Sequence, residues 1–292
     1  MGAIAQLHAA AEAGDAESIS AAIAAGAPAD ALLNSQDHHR TALYKTCCGG
    51  HAECADLLLK AGADPNAATD PDRPPNIGGR RPLHAAACCG DAECLSALLL
   101  AGADPTALDS ALRPPLFYAA LFCQADSVRQ LLRAAPQAAL MRDQWGETAL
   151  QQCSYCTFSG SLSPPQAIEV AHRLIAEAPL PPALESLAVL RRVLSCARDW
   201  AFPLFAVFVA RQPLTPADWD LLPLPCPGLG SALPAVLARS DFEAGMLVAH
   251  LPPHERRRLR TLALCLARAQ RSGQLPLLPT SLNWRLLALS VA

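Results

Sequence analysis

Aromatic residues are scarce in this 292-residue chain, at 5% of the sequence. A core short of large rings has to be assembled from many small contacts. Alanine and leucine dominate instead, and alanine costs no side-chain entropy and lets helix axes approach closely. Excess charge of either sign is also missing, with a formal net charge of -3. That balance gives no global drive toward nucleic acid or an anionic membrane. Long apolar runs are absent too. The most apolar stretch, Ala201–Ala210, falls far short of the ~20 residues a spanning helix needs. Residues 1–11 have no basic n-region, and Glu12 and Asp15 interrupt any leader-like run. The expectation is a soluble protein. Its twelve cysteines then read as reduced thiols in a cytosolic or nuclear setting, not as a disulfide framework. Catalytic signatures are missing as well: there is no G-x-S-x-G, Walker loop, G-x-G-x-x-G or H-E-x-x-H. The expectation is a protein that is not an enzyme and needs no cofactor.

What the sequence has in quantity is hydrophobic residues, at 52%, enough for one or two packed domains. It also repeats itself. Thr41-Ala-Leu-Tyr-Lys-Thr-Cys-Cys-Gly-Gly-His-Ala-Glu-Cys54 aligns with Arg81-Pro-Leu-His-Ala-Ala-Ala-Cys-Cys-Gly-Asp-Ala-Glu-Cys94, and Pro114–Ser127 aligns with both. The first two continue into Leu57-Leu-Leu-Lys-Ala-Gly-Ala-Asp-Pro-Asn66 and Ala97-Leu-Leu-Leu-Ala-Gly-Ala-Asp-Pro-Thr106. Anchoring leucines fall at Leu7, Leu43, Leu83, Leu116 and Leu150, with spacings of 36, 40, 33 and 34. The spacing of 40 carries an insertion of about seven residues, visible as residues 69–77.

Local chemistry fits paired helices. Thr41 and Thr148 suit N-caps, and Pro82 and Pro115 suit a first helical position, where no N–H partner is required. Gly50 and Gly90 can supply left-handed backbone between helices. Both the Pro-Leu-His-x-Ala-Ala opening and the Leu-Leu-x-x-Gly-Ala-Asp close resemble the ankyrin repeat family. The resemblance implies an all-α solenoid of about five repeats over 1–180, at 4–35, 37–68, 78–109, 110–142 and 143–179. The ends are degenerate: Gln6–Ala10 reads as an N-terminal cap. In the fifth repeat Phe158–Pro165 splits the two helices, the second resuming at Ile168–Ala178.

The family mostly binds protein partners through hairpin tips and the exposed side of each first helix. Carried over position by position, three residues before the anchoring leucines stand Arg40, Arg80, Arg113 and Glu147. Five before stand His38, Gly78, Ala111 and Trp145. Five and six after stand Cys48 and Gly49, Cys88 and Cys89, Leu121 and Phe122, Tyr155 and Cys156. The resemblance thus implies a concave face with a column of arginines ending on Trp145 and an apolar patch of Leu121, Phe122 and Tyr155. Arg, Trp and Tyr are the types that most often anchor interfaces. The expected partner is another protein, with no nucleic acid or membrane, and the chain itself is expected to be monomeric.

Cys54 and Cys94 fall where a repeat buries a small hydrophobe. Equivalent cysteines on helices ~8–10 Å apart are too distant to bridge. Cys153-x-x-Cys156 is a single pair, whereas a structural zinc site needs four converging ligands. His8 and His84 belong to the repeat motif and read as structural.

Beyond Pro179, Pro181 and Pro182 the repeat signature stops, and 183–292 reads as a small helical module packed against the last repeat. Helices are expected within Ala183–Ala210, after the Thr215 cap, and at Ser231–Ala238, Asp241–His250, Pro253–Arg271 and Ser281–Ser290. Repeat arrays followed by a SOCS box act as substrate receptors of cullin-type ubiquitin ligases. Leu262, Cys265 and Leu275–Pro279 are similar to that box, but the Leu-to-Cys gap is three where the box has four. The leading expectation is therefore a non-enzymatic interaction scaffold, and the ligase receptor is the alternative. Arg256–Arg260 is the densest basic run and reads as a solvated helix face.

Overall fold

A computed structural model describes residues 2–30, 40–70, 78–156, 164–179, 202–222, 226, 229–259 and 261. Among them there are helices and turns and no strands. The chain divides into two compact units, Met1–Leu180 and Pro181–Ala292.

The first unit is a succession of helix pairs: α1 (Gly2–Ala13) with α2 (Ala16–Ala24), α3 (Ala42–Gly49) with α4 (Ala52–Lys60), and α5 (Pro82–Cys89) with α6 (Ala92–Leu100). Then come α7 (Pro115–Leu121) with α8 (Ala125–Ala134), and α9 (Ala149–Cys156) with α10 (Pro164–Glu177). First helices pack on first helices and second on second, giving two layers. All five anchoring leucines are buried between them, as are Cys54 and Cys94. The starts are set by the expected residues. Thr41 accepts a hydrogen bond from the Tyr44 N–H at 3.2 Å, and Pro82 and Pro115 open α5 and α7. In the fifth pair, α10 starts at Pro164, earlier than the expected Ile168. Its two prolines lie in the first turn, where their missing N–H groups have no intrahelical partner to lose.

The turns inside the second and fourth pairs tie each to the pair before it. Gly50 and Gly90 sit at φ 72° and 85°, a backbone state that costs a residue with a Cβ 1 kcal/mol or more. A Cβ on Gly90 would run into the Gln124 side chain, and one on Gly14 into the His51 ring. The space they leave is used. His51 reaches the Glu12 carbonyl at 3.3 Å, and the Gln124 amide donates to the Cys89 carbonyl at 3.2 Å. A second seam follows the Gly-Ala-Asp close: Asp30 accepts from the Asp64 N–H, and Asn66 from the Asp104 N–H, at 2.9 Å each. Such neighbour-only bonding is how a linear repeat array holds together.

Between pairs the chain makes hairpins. Asp109 and Arg113 close one, by an N–H to carbonyl bond of 3.1 Å, and Asp143 and Glu147 close the next at 2.9 Å. In the hairpin before α5 the closing pair is Thr69 and Arg80, bonded in both directions, at 2.8 Å through the Arg80 carbonyl and 3.0 Å through Thr69 Oγ1. Residues 71–77 lie outside the described part, as do 31–39.

The second unit contains α11 (Phe202–Arg211), α12 (Pro216–Asp220), α13 (Leu233–Arg239) and α14 (Asp241–His250). Thr215 and Asp218 cap α12 reciprocally, as the Thr-Pro-Ala-Asp sequence suggests. The stretch expected as one helix from Ser231 is a 3-10 turn, Leu229–Ala232, followed by α13. Residues 253–259 are helical, and Arg256, Arg257 and Arg258 are exposed. Trp219, Phe205 and Phe208 are fully buried. The Arg239 guanidinium donates to the carbonyls of Val209, Ala210 and Gln212 at the end of α11, and pairs with Glu243 at 2.6 Å. His250 bridges the Met246 and Trp219 carbonyls at 2.7 and 3.0 Å. The expected helices at 183–201 and 281–290, and the segment compared with a SOCS box, lie outside the described residues.

Candidate functional site

The hairpins fix the backbone of the arginine column. Arg80 and Arg113 are the closing residues of their loops, and Glu147 holds the same place in the next one. An acidic side chain folded into the loop locks each of the last two. Asp109, buried, accepts from the N–H groups of Ala111 and Arg113 at 2.8 Å, and Asp143 from those of Trp145 and Glu147 at 3.0 and 2.9 Å. Successive hairpins are bonded edge to edge, Ser110 N–H to the Gly78 carbonyl and Gln144 N–H to the Ala111 carbonyl, both 3.0 Å.

On this scaffold the side chains form an alternating ladder of cations and rings. The Arg40 guanidinium carbon is 5.8 Å from the centre of the Tyr44 ring. That of Arg80 is 4.6 Å from Tyr118, and that of Arg113 is 5.1 Å from the same ring and 5.8 Å from Trp145. All lie within the ~6 Å at which a cation gains from a ring's negative face. Burial works against the Arg80 charge, but Tyr118 and Tyr44 beside it outweigh that and raise its pKa. Burial likewise pushes Tyr44 up to about 12, so it stays a neutral phenol.

The three arginines differ in what holds them. Arg113 makes an ion pair with Asp109 at 3.3 Å, and Tyr118 donates its hydroxyl to the same carboxylate. Arg40 and Arg80 are half-buried, form no ion pair with a described residue, and each leaves its Nε without an acceptor. Trp145 is the most open ring of the ladder, 65% exposed. Glu147 is half-buried and accepts from the Gln152 amide at 2.9 Å, which turns it inward. Leu121 is half-buried and Phe122, at the end of α7, is 41% exposed. His38 and the side chain of Tyr155 lie outside the described part. Of the residues chosen from sequence, the ladder thus joins Arg80, Arg113 and Trp145 directly and sets Arg40 beside Tyr44.

Sequence reasoning missed the two tyrosines that make the ladder. Tyr44 stands where the motif has histidine, a departure that was legible. Tyr118 sits where the two preceding repeats have Lys45 and Ala85, so no pattern marks it. His84, by contrast, is structural. Its Nδ1 accepts from the Arg81 N–H at 3.0 Å, its Nε2 donates to the Arg113 carbonyl at 3.1 Å, and burial lowers its pKa to about 4. Among thiols near the face, burial pushes Cys88 up to about 11, leaving it protonated and a poor nucleophile at neutral pH. Cys153 is fully buried, with its thiol on the Ala149 carbonyl. Among the described residues no cluster of metal-binding side chains occurs, and no helix is long and apolar enough to cross a membrane.

No curated protein matches the chain. Residues 7–109 match ankyrin repeats in three copies, a span that includes the degenerate first pair, and α7 to α10 continue the same pairing beyond it. The paired helices, the left-handed turns and the bonded hairpins agree with that match, and residues 7–109 are ankyrin repeats.

Proposed function

We propose that the chain is a non-enzymatic interaction scaffold whose partner protein seats along Arg40, Arg80, Arg113 and Trp145, on the hairpin side of the first-helix layer. Ankyrin repeats are in general protein-binding modules. The observation that carries the reading is Trp145, held by its backbone on a locked hairpin, 65% exposed, and stacked on Arg113. A large ring kept open at the end of a cation ladder is the make-up of an interface anchor. Phe122 extends the same reading toward the end of α7.

Truncating that ring should weaken binding without unfolding the repeats. The full-length chain and Trp145→Ala are compared by quantitative affinity capture, with far-ultraviolet circular dichroism as the folding control. Proteins retained by the parent and depleted several-fold on the variant are the expected outcome. Unchanged retention on a folded variant would sink the proposed face.

A further inference from the structure

We infer that the partner segment taken up by the arginine face is extended and acidic, with carboxylates at every third residue. The inference rests on the proposed binding face and adds the chemistry and spacing of what it binds.

The charge on the ladder is unbalanced. Three guanidinium groups line it, and among the described residues the carboxylate paired with them is that of Asp109, already shared by Arg113 and Tyr118. Arg40 and Arg80 are half-buried, with no countercharge among the described residues. Other half-buried or buried cations of the same unit are paired: Lys45 with Glu12 at 2.9 Å, Arg81 with Asp104 at 4.0 Å, and Arg173 with Glu169 at 3.0 Å. A cation taken partly out of water without a partner is costly, and an incoming carboxylate relieves that cost. The planar guanidinium fork suits a carboxylate, gripped by two parallel hydrogen bonds. Tyr44 and Tyr118 lie beside the Arg40 and Arg80 guanidinium groups and restrict them, so less side-chain freedom is lost on binding.

Spacing follows from the stack. Arg40 and Arg80 stand at equivalent positions of adjacent pairs, and packed helices lie ~8–10 Å apart. A chain in the extended polyproline II conformation advances ~3.1 Å per residue and returns to the same side every third residue. Three residues therefore carry it from one arginine to the next, so acidic side chains two apart or four apart fall out of step. Beyond Arg80 the next position belongs to Arg113, whose carboxylate is supplied internally, and then to Trp145. An apolar side chain suits that end.

The test uses labelled synthetic peptides and fluorescence anisotropy with the full-length chain. One peptide carries Glu at every third residue and ends in leucine. A second has the same composition with Glu at every second residue, a third has Gln for Glu, and a fourth has phosphoserine for Glu. The first should bind, weaken steeply with added salt, and lose at least about tenfold affinity in the second and third forms. Arg80→Gln should lose about as much. Arg80→Lys keeps the charge but not the fork and should recover only part of it, which excludes a merely unfolded variant. Equal binding of the first two peptides would overturn the spacing, and binding of the Gln form, or of the phosphopeptide alone, would overturn the acidic segment. Failure of every peptide while Trp145→Ala still depletes captured proteins would overturn this inference and leave the binding face standing.

Discussion

The two units of the molecule hold themselves together in different ways. In the repeat stack the same small bond recurs. The Asp64 and Asp104 N–H groups are each received by the pair before, and His51 and Gln124 each reach back into it. Each bond joins immediate neighbours, and no single one is indispensable. In the second unit, polar anchoring is concentrated in a few residues that bond across the unit. Arg239 caps three carbonyls of α11 while paired with Glu243, and His250 ties α14 to the end of α12. A repeated weak device gives graded, local stability, whereas a concentrated network gives a unit that fails together.

The sharpest way to break that comparison is Arg239→Ala. It uncaps the end of α11 and leaves the Glu243 carboxylate, only 9% exposed, without its cation. The Leu214 N–H is all that then remains of the bonds Glu243 makes across the unit. The expected loss is about 3 kcal/mol, the low end for a broken buried pair because Arg239 itself is 25% exposed. Hydrogen-exchange mass spectrometry should show protection lost together over 202–250 and retained over 42–134. Loss confined to α13 would mean that the network is as local as the stack.

Among the described residues of the stack, His84 is buried with a strongly lowered pKa, and acid should find it. His84 is neutral in the folded protein because burial lowers its pKa to about 4 from an ordinary 6.5. The unfolded chain therefore takes up the proton first as pH falls. The stability contributed by the neutral ring is complete above pH 6.5 and is lost progressively toward pH 4. By pH 4.5 the loss is about 2–3 kcal/mol from this residue alone. Comparing urea midpoints at pH 7 and 4.5 for the parent and His84→Gln isolates it: the variant should start lower and fall less. A parallel fall in both would show that other groups govern the acid response.

The contrast between the units also explains what could be read in advance. Helix caps and turns were legible, since each depends on residues within a few positions, such as Thr41 and Tyr44 or Gly50 and His51. The insertion was legible as a surplus in one spacing, and its hairpin closes on Thr69 and Arg80. The arginine column was legible as a register. What escaped was whatever lies between registers. Tyr118 joins Arg80 to Arg113, yet it is at an offset that carries Lys45 and Ala85 in the preceding repeats. That Asp109 balances Arg113, and leaves Arg40 and Arg80 without such a partner, depends on how a hairpin folds back on itself. In the second unit the Arg239 and Glu243 spacing of four is visible, but its carbonyl partners are 27–30 residues away and no periodicity points to them.

The smallest effect bears on the line between stability and binding inside the stack. Gly79 and Gly146 occupy the same hairpin position with φ of 68° and 79°, and the equivalent residue before α7 is Leu112 at φ 61°. A leucine held there costs about 1–2 kcal/mol in backbone strain. It recovers little by burial, being 49% exposed. Leu112→Gly should therefore stabilise the hairpin, by about 0.5–1 kcal/mol once the extra freedom of glycine in the unfolded chain is subtracted. Leu112→Ala should not, because alanine keeps the Cβ that causes the strain. Thermal midpoints of the three proteins decide it, and a Leu112→Gly midpoint below that of the parent would mean that the side chain contributes more than its backbone costs. The same variant sharpens the functional reading. Leu112 is one residue from Arg113, so if the strain is kept to present an apolar side chain to a partner, Leu112→Gly raises the midpoint while lowering partner retention. Stability and binding moving in opposite directions would mark this hairpin as part of the binding face, and an unchanged retention would limit the face to the arginines and Trp145.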